Sequence, residues 1–143
     1  MLEKAIEIAQ RAFEGKTDSR GEPYVNHSIR VMDRMETDDE KIVAVLHDVV
    51  EDSEMTLHDL QEAGFRRELL EAVEQLTKKP NMTYFDYIDD ISGSELATKV
   101  KLAEIEDNMD EVRVNKMSFK TFSLEERKER VKKILMGNES VKL

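Results

Sequence analysis

The chain has 143 residues, no cysteine and a net charge of −10 from 22 basic and 32 acidic side chains. That length suits one domain over 1–143, with a single hydrophobic core that needs neither disulfides nor a structural metal. The missing thiols exclude a thiolate nucleophile and a Cys-based zinc site and fit a reducing cytoplasm, while the charge opposes binding to nucleic-acid backbones.

Apolar residues recur at helical spacing along the chain. Leu2, Ala5, Ile6, Ala9 and Phe13 mark a first helix, and Gly15 to Gly21 then reads as a polar loop. Pro23 predicts the first turn of a second helix, carrying Val25, Ile29 and Met32. Asp38 or Asp39 is the expected cap of a third helix running through Ile42, Val45, Leu46 and Val49. Thr56 with Asp59, Thr83 with Asp86, and Ser123 with Glu126 are capping-box-like pairs at three further helix starts. Ser94 opens another helix, from Glu95 to about Met109. No segment alternates apolar and polar residues for long, and 5 Gly and 2 Pro are too few for a turn-rich β fold. The expected class is therefore all-α. Lys79-Pro80-Asn81 reads as an interhelical loop, Arg127-Lys128-Glu129-Arg130 as a solvated helical face, and Gly137 to Leu143 as a frayed tail. The eight methionines read as core filler and His58 as a surface residue. No continuous apolar stretch suggests a signal peptide or a membrane span, so no membrane partner is expected.

The third helix carries the chemistry. Ile42-Val43-Ala44-Val45-Leu46 is apolar on nearly every face, which marks the helix as central and buried. It then presents His47-Asp48 and, after two valines, Glu51-Asp52; at about 100° per residue Glu51 falls one turn from His47, and Asp52 one turn from Asp48. An imidazole and three carboxylates on one side of a buried helix carry a large desolvation cost unless an opposite charge compensates, and a divalent cation is the simplest compensator. On these residues alone a second reading stands beside it, in which the helix emerges into solvent after Leu46 and the acids form an exposed end.

The surrounding motifs bear on that choice. Gly21-Glu22-Pro23-Tyr24 precedes His27; further on come Val45-Leu46-His47-Asp48-Val49-Val50-Glu51-Asp52-Ser53, Leu76-Thr77-Lys78, Tyr84-Phe85, and Val100-Lys101-Leu102-Ala103-Glu104 with Asn108. In this order and over roughly three-quarters of the chain, the sequence resembles the RelA/SpoT-type HD hydrolases and their small stand-alone relatives, metal-dependent enzymes that remove the 3′-pyrophosphate from the alarmone (p)ppGpp. The resemblance implies an HD-type helical bundle and a divalent cofactor; mixed imidazole and carboxylate ligands suit Mn²⁺ by type, with Fe²⁺, Co²⁺ and Zn²⁺ as alternatives. It implies that His27, His47 and Asp48 are metal ligands and that Glu104 stands where the family has a fourth, an Asp. It implies that Glu51 and Asp52 orient or deprotonate the attacking water and that Asn108 helps hold the substrate, a small phosphorylated nucleotide. The long family members also carry synthetase and regulatory domains, for which 143 residues leave no room, so alarmone synthesis is not expected.

Two departures qualify the likeness. Glu104 adds a methylene to the fourth ligand, and Asp107, one turn on, is a second candidate for that place. By count from Gly21, Asp18 and Ser19 occupy the positions where the family carries an Arg-Lys pair, the Arg stacking on guanine. Lys16 and Arg20 are the nearby cations that could take over nucleotide contacts, and Tyr24 either packs in the core or touches substrate. The reaction type therefore transfers more directly than the substrate. Two alternatives remain: an HD phosphohydrolase acting on another nucleotide or phosphorylated metabolite, and a nucleotide-binding sensor module with weakened catalysis.

Overall fold

The structure is a computed structural model that describes residues 1–114 and Leu135; the expectations for Ser123, Glu126, the 127–130 basic run and the 137–143 tail lie outside the described residues. Eight helices succeed one another among the described residues, with no strand between them. They are α1 (Leu2–Ala12), α2 (Val25–Asp33), α3 (Asp38–Leu46), α4 (Val49–Asp52), α5 (Leu57–Glu62), α6 (Arg67–Gln75), α7 (Tyr84–Ser92) and α8 (Glu95–Val114). The all-α expectation holds. None of the described helices is long and apolar enough to cross a membrane.

Helix α3 is the axis of the bundle, touching α1, α2, α6 and α8. Ile42, Val43, Ala44, Val45 and Leu46 are all buried, as a helix apolar on every face must be when it is wrapped on all sides. Around it, Ala5 and Ala9 of α1 and Val31 of α2 bring small or branched side chains to the contact, and Leu69, Ala72 and Val73 of α6 close another side. Leu135 packs in the same core.

Helix starts obey local chemistry closely. Thr37, rather than Asp38 or Asp39, caps α3: its side chain accepts from the Glu40 amide while Glu40 accepts from the Thr37 amide, a reciprocal box that Asp38 and Asp39 only flank. Thr56 and Asp59 form the same box at α5, Thr83 accepts from the Asp86 amide at α7, and Ser94 Oγ accepts from the Ala97 amide at α8. Helix α8 runs on to Val114, past the expected end near Met109. Helix α6 is an addition to the elements expected from the sequence.

Two other differences position the site. Pro23 lies before α2 instead of in its first turn, because the chain folds back there: Thr17 pairs with Pro23 in an isolated antiparallel bridge, and the Tyr24 amide donates to the Lys16 carbonyl at 2.9 Å. Gly21 makes the fold-back possible with φ of +82°, a left-handed conformation that a side chain disfavours. The expected continuous third helix is interrupted at His47 and Asp48, and the chain resumes as α4.

The capping box at α3 sets up one expectation. Thr37→Ala removes the acceptor for the Glu40 amide and should destabilise the fold by about 1 kcal/mol, read as a lower urea midpoint with an unchanged slope.

Candidate metal and active site

The interruption in the central helix places the site. His47 donates from Nδ1 to the carbonyl of Ala44, which also receives the His47 amide at 3.4 Å, so the carbonyl one turn back is occupied by His47 itself. Asp48 then takes φ of −100° and ψ of −6°, and the ladder restarts with the Asp52 amide donating to the Asp48 carbonyl at 2.9 Å. Because Nδ1 is committed to the backbone, Nε2 of the 1%-exposed His47 points into the cleft. That atom is fully buried and has no hydrogen-bond partner: Asp48 Oδ2 lies at 3.2 Å, in ion-pair reach but not aligned as an acceptor.

His27, in the first turn of α2, meets His47 edge to face, with ring centroids 5.5 Å apart. Its Nε2 is 3.9 Å from Asp48 Oδ2, and one ligand atom each from His27, His47 and Asp48 lies within 4.8 Å of the others. Glu104 comes alongside from α8, with Oε2 3.8 Å from His47 Nε2, and takes a bond from Lys101 Nζ at 3.1 Å. The second candidate for its place, Asp107, faces elsewhere: its carboxylate meets His27 Nδ1 at 2.7 Å and Arg30 Nε at 2.8 Å, on the far side of the His27 ring from Asp48.

The acid pair of α4 sits beside this trio. Glu51 Oε2 accepts from the Lys78 amide at 3.0 Å, so the Leu76-Thr77-Lys78 stretch after α6 orients a carboxylate 27 residues away. Asp52 Oδ2 accepts from the Tyr24 hydroxyl at 3.0 Å, and Lys16 Nζ donates to the Asp52 carbonyl at 2.6 Å. The Tyr24 ring lies 4.9 Å from that of Phe13, so Tyr24 both packs and lines the cleft. A cavity of about 240 Å³ is lined by Tyr24, His27, Asp48, Glu51, Asp52 and Glu104, together with Asp18 and Asn108. Of the residues expected at the site, His47 meets this cavity only through Asp48 and Glu104, 3.2 and 3.8 Å from its Nε2, and Arg20 is not brought to it; Arg20 sits on the exposed turn, where Asp18 Oδ1 accepts from the amides of Arg20 and Glu22. A larger groove of about 840 Å³ adjoins across Glu51 and Asp52, over Ile8, Ala12 and Met55 with Lys16 at its rim.

Charge explains the protonation pattern. Burial opposes protonation of His47, but the carboxylates of Asp48 and Glu104 outweigh it and raise the imidazole above its usual range. Burial likewise pushes the Asp48 carboxyl up, and His47, His27 and Lys101 overcome it and hold it down. Glu51 and Asp52 are raised by burial and then by neighbouring carboxylates. Lys101 is a buried cation within the Val100–Glu104 motif, where the resemblance assigns it no role; its Nζ donates to Glu104 and to the Tyr87 hydroxyl at 3.4 Å and lies 5.0 Å from the Tyr87 ring centroid. Two ammonium groups, Lys101 at Glu104 and Lys16 at Asp52, against five carboxylates lining the cavity leave the cluster short of positive charge. The donor set fits a divalent cation: two imidazoles, a carboxylate within reach, and an orphaned buried nitrogen aimed at the same point.

Outside the cluster, Asp107 gives a pH signature. Burial would raise its carboxyl, yet the bonds from His27 and Arg30 lower it from 3.8 to about 2. Between those values the unfolded chain binds the extra proton, so this contribution is complete above pH 3.8 and fades as pH falls toward 2. Asp107→Asn should therefore flatten the acid limb of a stability–pH curve measured by chemical denaturation.

Known proteins resemble this chain in sequence and in fold. The chain is 36% identical over 89 residues to the bifunctional (p)ppGpp synthase/hydrolase SpoT of Escherichia coli K12, an alignment covering 59% of this chain and 12% of that protein. It is 34% identical over 110 residues to the guanosine-3′,5′-bis(diphosphate) 3′-pyrophosphohydrolase of Vibrio cholerae, covering 74% of this chain and 15% of the relative. The alignments thus span only 12–15% of the length of these curated relatives. A solved structure of a metazoan ortholog of SpoT, which hydrolyzes ppGpp and plays a role in starvation responses, superposes with a TM-score of 0.79 at 20% identity, over 94% of this chain and 84% of that one. No family model matches the chain. The resemblance drawn from the motifs is borne out by these relatives, and the fold is that of the HD-type hydrolase structure.

Proposed function

We propose that this chain, an all-α HD-type domain similar to the SpoT hydrolases, is a metal-dependent phosphohydrolase that removes the 3′-pyrophosphate from a guanosine polyphosphate of the (p)ppGpp type. The observation that carries the reading is the buried, unpartnered Nε2 of His47, which shares its cleft with His27, Asp48 and a pair of oriented carboxylates. Orphaned polar atoms in a core are costly, and a cation there removes the cost while offsetting the crowded negative charge.

His27, His47 and Asp48 hold the ion in this reading, with Glu104 completing the set, and the mixed nitrogen and oxygen donors suit Mn²⁺. When bound, a divalent cation lowers the pKa of a water and polarises a phosphoryl oxygen. The chain's own residues do the rest. Glu51, fixed by the Lys78 amide, and Asp52, fixed by Tyr24, carry carboxyl groups raised toward the range in which a proton is readily shared. Between them they take the proton of the attacking water. The water oxygen bonds to the 3′-linked phosphorus, the bond from that phosphorus to the ribose oxygen breaks, and a proton returns to that oxygen as pyrophosphate leaves. Burial and the charges of Asp48 and Asp52 raise the Tyr24 phenol, so it stays a donor throughout. Asn108 lines the cavity as a polar anchor for substrate. The cavity takes a phosphate group, and the adjoining groove leaves space for the bulk of a nucleotide.

One observation favours a second reading, an HD hydrolase for a different phosphorylated metabolite. Asp18 lines the cavity with its carboxylate bonded into the turn; desolvation pushes its carboxyl up, and the Arg20 and Glu22 amides together with the Arg20 and Arg30 charges hold it below its usual range. An acid so placed offers no cationic stacking surface for guanine.

The test is product identity from a panel of nucleotides incubated with Mn²⁺. Pyrophosphate and GDP from ppGpp, with little turnover of other nucleotides, is the expected result; preferential turnover of another substrate selects the second reading. His47→Ala should abolish turnover, and chelation should do the same to the wild type. Glu51→Gln should lower kcat by roughly 10²- to 10⁴-fold with a smaller change in KM. Metal-bound, folded protein with no turnover on any nucleotide would instead indicate a sensor.

A further inference from the structure

Asp107 is only 2% exposed and meets His27 at Nδ1, the ring nitrogen other than the one nearest Asp48. Its Oδ2 accepts from His27 Nδ1 at 2.7 Å, its Oδ1 accepts from Arg30 Nε at 2.8 Å, and Arg34 Nη2 lies 3.7 Å from Oδ1. Arg34 is itself held by Asp110 at 2.8 Å. A carboxylate this enclosed keeps its charge because the two guanidinium groups and the imidazole compensate it.

A neutral histidine has one ring proton to place, and the partner of one nitrogen decides the state of the other. An ionised carboxylate only accepts, so Asp107 requires the proton on Nδ1 of His27. Nε2 is then a bare lone pair, and Nε2 is the nitrogen 3.9 Å from Asp48 Oδ2. His47, when neutral, reaches the same state by a different route, since the Ala44 carbonyl takes its Nδ1 proton. Two imidazoles from different helices thus present the same nitrogen to one point, one fixed by backbone and the other by a side chain from α8.

We propose that Asp107 is a positioning residue that locks His27 in the Nδ1–H tautomer and aims its Nε2 lone pair at the cation site, with Arg30 holding the carboxylate in place. This rests on the metal-site reading of the proposed function. It assigns Asp107, within one turn of Glu104, a task distinct from ligation. Carboxylates behind a ligating histidine raise its basicity and fix its ring, and their loss weakens metal binding by about 10- to 100-fold.

The wild-type protein, metal-free and in mildly alkaline buffer, is measured first by long-range ¹H–¹⁵N correlation of the imidazole rings. A proton on His27 Nδ1 is expected; a proton on Nε2 overturns the proposal without need of any variant. Wild type and Asp107→Ala are then titrated with Mn²⁺ by calorimetry, alongside thermal melts. The expected result is a dissociation constant about 10- to 100-fold larger in the variant, together with a mixture of His27 tautomers. A folded Asp107→Ala protein whose affinity stays within about threefold of wild type overturns the positioning role and leaves the metal site standing. A wild type that takes up no Mn²⁺ overturns the metal-site reading and this inference with it. Should Asp107→Ala melt too low to titrate, Asp107→Asn, which retains the shape but not the charge, is measured in its place against the same two limits.

Discussion

The break in the central helix at His47 and Asp48 is the constraint on which the site depends. A regular helix would give the Ala44 carbonyl to the amide of Asp48; here His47 occupies it from its own amide and ring. The side chain thereby fixes its own orientation and ends the helix in one step. The short helix α4 then lifts Glu51 and Asp52 beside the imidazoles instead of burying them among Val43, Val45 and Leu46. The apolar run before the break anchors the arrangement: α3 is wrapped by four other helices, so the terminus that carries the histidine has little freedom to move.

The cleft concentrates negative charge, and the fold handles it with a layer of cations set behind the acids. Lys101 stands behind Glu104, with its own ammonium braced by the Tyr87 ring and hydroxyl, while the Tyr87 hydroxyl donates to the Leu76 carbonyl. Arg30 and Arg34 stand behind Asp107. These pairs neutralise the outer carboxylates and leave Asp48, Glu51 and Asp52 to face the cavity. Burial and neighbouring carboxylates raise the two acids of α4, while His47, His27 and Lys101 hold Asp48 ionised, a division of labour between neighbouring carboxylates set by environment alone.

Much of this is legible in the sequence. The all-apolar run from Ile42 to Leu46 announces a central helix, and the pairs at Thr56, Thr83 and Ser94 mark real helix starts, because a capping side chain acts within three residues. Thr37 with Glu40 carries the same signature, masked by two aspartates that look equally competent by type. Helix α6 is readable too, since Leu69, Ala72, Val73 and Leu76 fall at helical spacing and all are buried. The helix break is not readable: His47 has no unusual neighbours, and the competing bond to Ala44 exists only once the ring is packed. The tasks of Asp107, Lys101 and the Lys78 amide are hidden for the same reason. Asp107 and the Lys78 amide act on partners from other helices, and Lys101 is braced by Tyr87 of α7, so spacing along the chain carries no trace of these contacts, although the i,i+3 pair of Lys101 with Glu104 does lie in the spacing.

The tie between His27 and Asp107 joins positions 80 residues apart. Closing so long a segment has an entropic cost that only the completed bundle repays. During synthesis, a nascent chain that has emerged as far as α4 already displays both imidazoles and the acid pair, but neither Glu104 nor Asp107 has yet left the ribosome. The contacts from Glu104 to His47 and from Asp107 to His27 therefore form only when α8 docks, so the surroundings of the two imidazoles are completed last, by the helix that closes the bundle.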